Sequence, residues 1–107
     1  MEEAEAARLV AELAANFQES LVDVMVAKVL EMAGRYRAQG IILGGGVAAN
    51  ALLRAEVKRR ASLPVLVPPP VLCTDNGAMI AACAYYQYQR GEESPMELDI
   101  DPALPLG

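Results

Sequence analysis

The chain has 107 residues, enough for one domain with one core, and its composition is 54% hydrophobic with one Phe, no Trp and no His. A net charge of −5 argues against binding nucleic acid by bulk electrostatics. The lack of His removes the commonest general base and metal ligand, which limits catalysis by this chain alone.

Residues 2–15 mix acidic and apolar positions, with Ala4, Leu9, Val10, Leu13 and Ala14 able to form one face of an amphipathic helix that joins or nearly joins the next. From Asn16 to Arg35 a helical wheel gives a narrow polar stripe of Ser20, Asp23, Ala27 and Glu31. Phe17, Leu21, Val24, Met25, Val29 and Met32 cover the opposite side, and Val22, Val26 and Leu30 fill a flank. A helix apolar over most of its circumference needs cover on more than one side, so a neighbour is expected to be missing. Gly34 and Gly40 punctuate its end, with Arg35 and Arg37 placed to favour a helix C-terminus. No stretch is apolar enough for a membrane span, because Asp23, Lys28 and Glu31 interrupt the longest one.

Ile41 to Leu43 suit a short buried strand and run into Gly44-Gly45-Gly46, followed at once by the helix-favouring Val47-Ala48-Ala49. Strand, glycine turn, helix is an arrangement that aims backbone N–H groups at an anion. Neither the dinucleotide spacing nor the P-loop spacing is met. A phosphate or nucleotide site and a tight connection whose glycines relieve crowding therefore both remain open. Asn50 to Arg60 continue as a helix with Leu52, Leu53 and Val57 apolar, and its Arg54, Lys58, Arg59 and Arg60 read as a solvated basic face. Pro64 to Val67 form a second strand, closed by Pro68-Pro69-Pro70. Strand, helix, strand over this length predicts a parallel pair with a right-handed crossover.

Leu72 to Gly77 form a polar turn opening an apolar helix from Ala78 to Arg90, with Thr74 or Asp75 as its cap and Gly91 at its end. Both polar turns come after strand regions, which would place them on the carboxyl edge of the sheet, where ligands bind in open parallel sheets. Residues 92–107 are acidic and proline-rich and read as an extended tail, with Leu98, Ile100 and Leu104 as docking points. Cys73 and Cys83 fit no zinc or redox spacing, and two cysteines without a signal peptide suit a reducing cytoplasm.

Gly45-Gly46-Val47-Ala48-Ala49-Asn50, then Pro69-Pro70, Leu72-Cys73-Thr74-Asp75-Asn76 and Ala78-Met79-Ile80-Ala81, closely resemble the TsaD family, the threonylcarbamoyl-transferring subunit of tRNA threonylcarbamoyladenosine synthesis. Phe17-Gln18-Glu19 with Val22-Asp23, and the tail pieces Gly91-Glu92, Ser94-Pro95 and Leu98-Asp99, are similar too. The resemblance implies an α/β chain, the C-terminal part of the actin-like, sugar-kinase and heat-shock-protein ATPase fold. Residues 1–107 would then be a single incomplete domain, its C-terminal lobe.

By the same resemblance, Gly45, Gly46 and Asn50 would line or contact ATP or threonylcarbamoyl-adenylate, and Asp75 would be a carboxylate ligand of a divalent metal, iron or zinc. Asn76 would be structural, and no residue here is assigned a catalytic role. The implied partners are the missing N-terminal lobe, tRNA and the partner subunits of the complete enzyme. The family's other metal ligands, an H-x-x-x-H motif, have no counterpart in a chain without His, and Gly44 stands where relatives often carry Ser or Ala. The isolated chain is thus expected to be inactive and to hold no cofactor firmly. The alternatives are a weak nucleotide-binding module and a module that self-associates through the apolar face of residues 17–33.

Overall fold

A computed structural model describes residues 2–105. It is helix-rich, with helices α1 (Glu3–Arg35), α2 (Ala51–Arg60), α3 (Pro70–Cys73) and α4 (Gly77–Gln89), and strands β1 (Ile41–Ile42) and β2 (Val65–Leu66). Residues up to Asp75 form one compact unit, and those from Asn76 onward form another. The ends of the expected tail and domain, Met1, Leu106 and Gly107, lie outside the described residues.

The two expected N-terminal helices are one continuous helix, α1, because no Gly or Pro interrupts residues 3–33. It ends without glycine at the decisive position. Gly34 lies inside the last turn, and Arg37 takes the left-handed conformation (φ 51°) while Ala38 N–H bonds Ala33 O at 2.9 Å. Glycine is the residue that takes this conformation without a Cβ penalty. Arg37→Gly is expected to raise stability by about 0.5 kcal/mol, the relieved strain outweighing the added freedom of the unfolded chain. A urea melt with an unchanged or lower midpoint would contradict it.

β1 and β2 pair in parallel, Ile41 opposite Val65 and Ile42 opposite Leu66, with Ile41 N–H bonding Pro64 O at 2.9 Å and Leu43 N–H bonding Leu66 O at 3.0 Å. Alternation along β1 buries Ile41 and leaves Ile42 77% exposed. The core of the first unit is small: Val22, Val26, Ile41, Leu53 and Val57, with Met25, Val29, Leu30, Ala33, Leu43, Leu52, Ala61 and Val65 packed around it. The side of α1 that faces α2 is therefore the Val22–Val26 flank. Phe17, Leu21, Val24 and Met32 stay exposed, together with Leu9, Val10 and Leu13. Arg60 on α2 ties the pair together through a 2.5 Å bond to Asp23.

In the second unit none of the side chains of α4 is buried. The helix is capped by Asn76 (φ −152°, ψ 154°), whose Oδ1 accepts from Met79 N–H at 2.9 Å. This corrects the expectation of Thr74 or Asp75, since the cap falls on the residue directly before the first helical one. Gly91 comes after the helix in the left-handed region (φ 74°), as glycine beyond a helix end does. Residues 92–105 contain turns and neither helix nor strand. Leu98, Ile100 and Leu104, expected to dock, are 70%, 88% and 72% exposed. Among the described residues no helix is long and apolar enough to cross a membrane.

Candidate functional site

Gly45 stands at φ +87°, a conformation strained for any residue with a Cβ, so the turn out of β1 requires glycine there. The segment after it differs from the expected helix. Gly46–Ala49 form a single 3-10 turn, with Ala48 N–H bonding Gly45 O and Asn50 N–H bonding Val47 O, each at 3.0 Å. Asn50 breaks this turn by adopting an extended conformation (φ −63°, ψ 120°), and α2 begins only after it. The glycines therefore do not open α2 directly. Asn50 opens it, its Oδ1 accepting from Leu53 N–H at 2.9 Å. Its Nδ2 donates to Gln18 Oε1 on α1 at 3.0 Å, so both ends of this side chain are engaged within the fold.

The crowding explanation for the other glycines fails in this chain. A Cβ added at Gly44, Gly45 or Gly46 would meet nothing within 4 Å. At Gly44 and Gly46 φ is not positive, so neither space nor backbone conformation within this chain demands glycine. Gly44 to Val47 are not buried, whereas Ala48 is buried and anchors the turn.

Of the two segments that follow β1 and β2, the glycine turn meets only the start of the second. The Gly46–Ala49 turn packs against α3, the short helix entered through Pro70. Arg54 joins them, its guanidinium donating to Ala48 O at 3.1 Å and lying 3.7 Å from Cys73 Sγ. The buried Cys73 thiol lies 3.7 Å from Pro68 O. Sequence reasoning missed Arg54 and Cys73 by assigning the first to a solvated face and the second to no motif. The available signal was that Arg54 stands four residues after Asn50, one helical turn on.

The remaining basic residues of α2 are also partly spoken for. Arg59 forks onto Glu56 at 2.9 and 2.6 Å, which holds the Glu56 carboxyl below its usual range, and Arg60 pairs with Asp23. They line an open groove between α1 and α2 with Gln18, Glu19, Ser20 and Asp23, so the surface there is mixed in sign.

Asp75 lies exposed, two residues beyond Cys73. Among the described residues no three His, Cys, Asp or Glu side chains converge as a metal site. Iron and zinc sites use about three protein ligands, so the donors of this chain do not by themselves fit such an ion.

The family model for TsaD, described as tRNA N6-adenosine threonylcarbamoyltransferase, matches residues 2–82. Curated proteins of that name are similar as well. That of Moorella thermoacetica is 50% identical over 99 residues, which cover 90% of this chain and 29% of the relative. That of Dehalococcoides mccartyi strain CBDB1 is 47% identical over 91 residues, 85% of this chain and 28% of the relative. That of Thermomicrobium roseum is 47% identical over 97 residues, 91% and 27%. The chain thus spans less than a third of the length of these relatives.

Proposed function

The chain belongs to the TsaD family of tRNA N6-adenosine threonylcarbamoyltransferases, and from that membership we propose that it is the C-terminal lobe of such an enzyme. Its fold in the complete protein is the actin-like ATPase fold. The whole enzyme moves a threonylcarbamoyl group from its adenylate to the adenosine beside the anticodon of a tRNA. This lobe supplies one wall of the cleft.

The observation that carries the reading is the glycine turn. Gly44 and Gly46 face open space where a side chain would meet nothing, beside a turn that Ala48, Arg54 and Cys73 hold against α3. A rigid turn with a bare outer surface leaves room for a ligand to approach the backbone. Gly45 and Gly46 line the nucleotide on this wall, and the Asn50 amide lies at its rim. Asp75 would offer one carboxylate to a divalent metal, iron or zinc, only together with ligands that this chain does not supply, and an ion so held would polarise a carbonyl. The apolar surface of α4, with Ile80, Tyr85, Tyr86 and Tyr88 all more than half exposed, suits a helix that packs against another part of the complete enzyme. Alone, the chain is catalytically silent, since one wall encloses too little of a ligand.

An amide NMR titration of the 107-residue chain with ATP and Mg²⁺ tests this. Shifts confined to residues 44–50 and 73–77, with a Kd of about 1 mM, are expected. A well-dispersed spectrum that does not move would remove nucleotide binding from this lobe. One observation favours a second reading, a purely structural turn: the Asn50 side chain is already bonded at both ends, to Leu53 N–H and to Gln18.

A further inference from the structure

Helix α1 extends well beyond the core of the first unit. Its buried residues are Val22 and Val26, and the partly buried ones against the core lie from Met25 to Ala33. At 1.5 Å per residue, the stretch from Glu3 to Ser20 adds roughly 25 Å of helix that contributes nothing to this core.

That stretch is not polar all round. At 100° per residue, Ala6, Val10, Leu13, Phe17, Leu21 and Val24 fall within an arc of about 80°, on the side of α1 roughly opposite Val22 and Val26. Five of these are large side chains, from 49% exposed at Leu21 to 71% at Phe17. Their spacing of three and four residues is that of a helix–helix seam. The seam has unlike ends. Glu3, with Glu2 before it, continues the arc at the N-terminal end. Lys28, Glu31 and Arg35 continue it at the other, where Lys28 donates to Glu31 at 3.2 Å and Arg35 leaves that end net positive.

We propose that this stripe is a self-association surface on which a second copy of the chain packs antiparallel. The charge pattern selects both the occupant and its direction. Antiparallel pairing with Leu13 of one copy beside Phe17 of the other sets Val10 beside Leu21 and Ala6 beside Val24. The same register brings Glu2 and Glu3 of each copy alongside Lys28 of its partner, at both ends at once. A parallel pair would instead stack glutamate on glutamate and lysine on lysine. The antiparallel arrangement is isologous, so it closes at two copies and forms no filament. Opposed helix dipoles add to the preference. The inference rests on the stripe of α1 and not on the nucleotide or metal roles of the glycine turn and Asp75, so failure of either leaves the other standing.

Sedimentation equilibrium of the 107-residue chain from low micromolar to several hundred micromolar tests it first. A reversible monomer–dimer equilibrium is expected, and Phe17→Asp should weaken it at least tenfold. Because Phe17 is exposed, the far-UV circular dichroism of that variant should be unchanged, which separates lost association from lost folding. Direction is read by oxidising an equimolar mixture of Glu3→Cys and Lys28→Cys chains, each also carrying Cys83→Ser. The mixed 3–28 disulfide should dominate. A chain monomeric at every concentration, or an association that Phe17→Asp leaves intact, would overturn the surface. Preferential 3–3 and 28–28 disulfides would overturn the antiparallel pairing.

Discussion

Leu53→Ala is expected to lower the unfolding free energy of the first unit by about 3 kcal/mol. Leu53 is 4% exposed and projects from α2 into the cluster that α1 and β1 complete with Val22, Val26 and Ile41. Truncation removes three carbons from contact with those side chains and leaves a cavity that stiff β-branched neighbours fill poorly. Small domains have only about 5 kcal/mol to lose, so the variant should keep only about 2 kcal/mol and unfold at a much lower urea concentration than the parent chain. Urea denaturation monitored by far-UV circular dichroism, at one fixed protein concentration, is the measurement. Ile42→Ala is the control. Its side chain leaves β1 on the face opposite to Ile41 and is 77% exposed, so a loss below about 1 kcal/mol is expected. A Leu53→Ala loss as small as that of the control would mean that the five-residue cluster is not what holds α1 to α2.

Which parts of this architecture were legible in the sequence depends on how many alternatives each segment left open. The parallel strand pair was legible because Ile41 to Leu43 and Pro64 to Val67 are short apolar runs bounded by Gly and Pro, with one helix-length segment between them. The orientation of α1 was not, because Val22, Val26, Phe17, Leu21 and Val24 are all apolar and nothing along a helix says which side its neighbour occupies. The 3-10 turn was hidden for a related reason. Val47-Ala48-Ala49 would serve as the first turn of α2, and only the extended conformation of Asn50 divides the two. Thr74, Asp75 and Asn76 are all good caps, so composition could not choose among them and the backbone at Asn76 did. In the candidate site, the glycine turn and Asn50 were visible as residues. Their fixing by Arg54 and Cys73 was not, because that contact joins residues 19 apart in the chain.

Asn50 is where the fold and the proposed ligand compete for one side chain, and two substitutions separate them. Asn50→Ala removes the cap bond to Leu53 N–H and the bond to Gln18, and is expected to cost about 1.5 kcal/mol of stability. Asn50→Asp keeps an oxygen in the cap position and adds a negative charge at the start of α2, where the helix dipole favours it. It loses only the exposed donor to Gln18, so its stability should lie within about 0.5 kcal/mol of the parent chain. Toward a nucleotide the order reverses in kind. The Asp variant is well folded but sets a carboxylate where the amide would face phosphate or adenylate, and like charges in a partly desolvated turn repel. Under the nucleotide reading, the ATP-induced amide shifts at residues 44–50 should therefore be lost in Asn50→Asp despite its intact melt. If the Asp variant titrates with ATP as the parent does, the amide of Asn50 serves the junction of α1 and α2 alone. The glycine turn would then hold its ligand, if it takes one, through backbone groups without the help of Asn50.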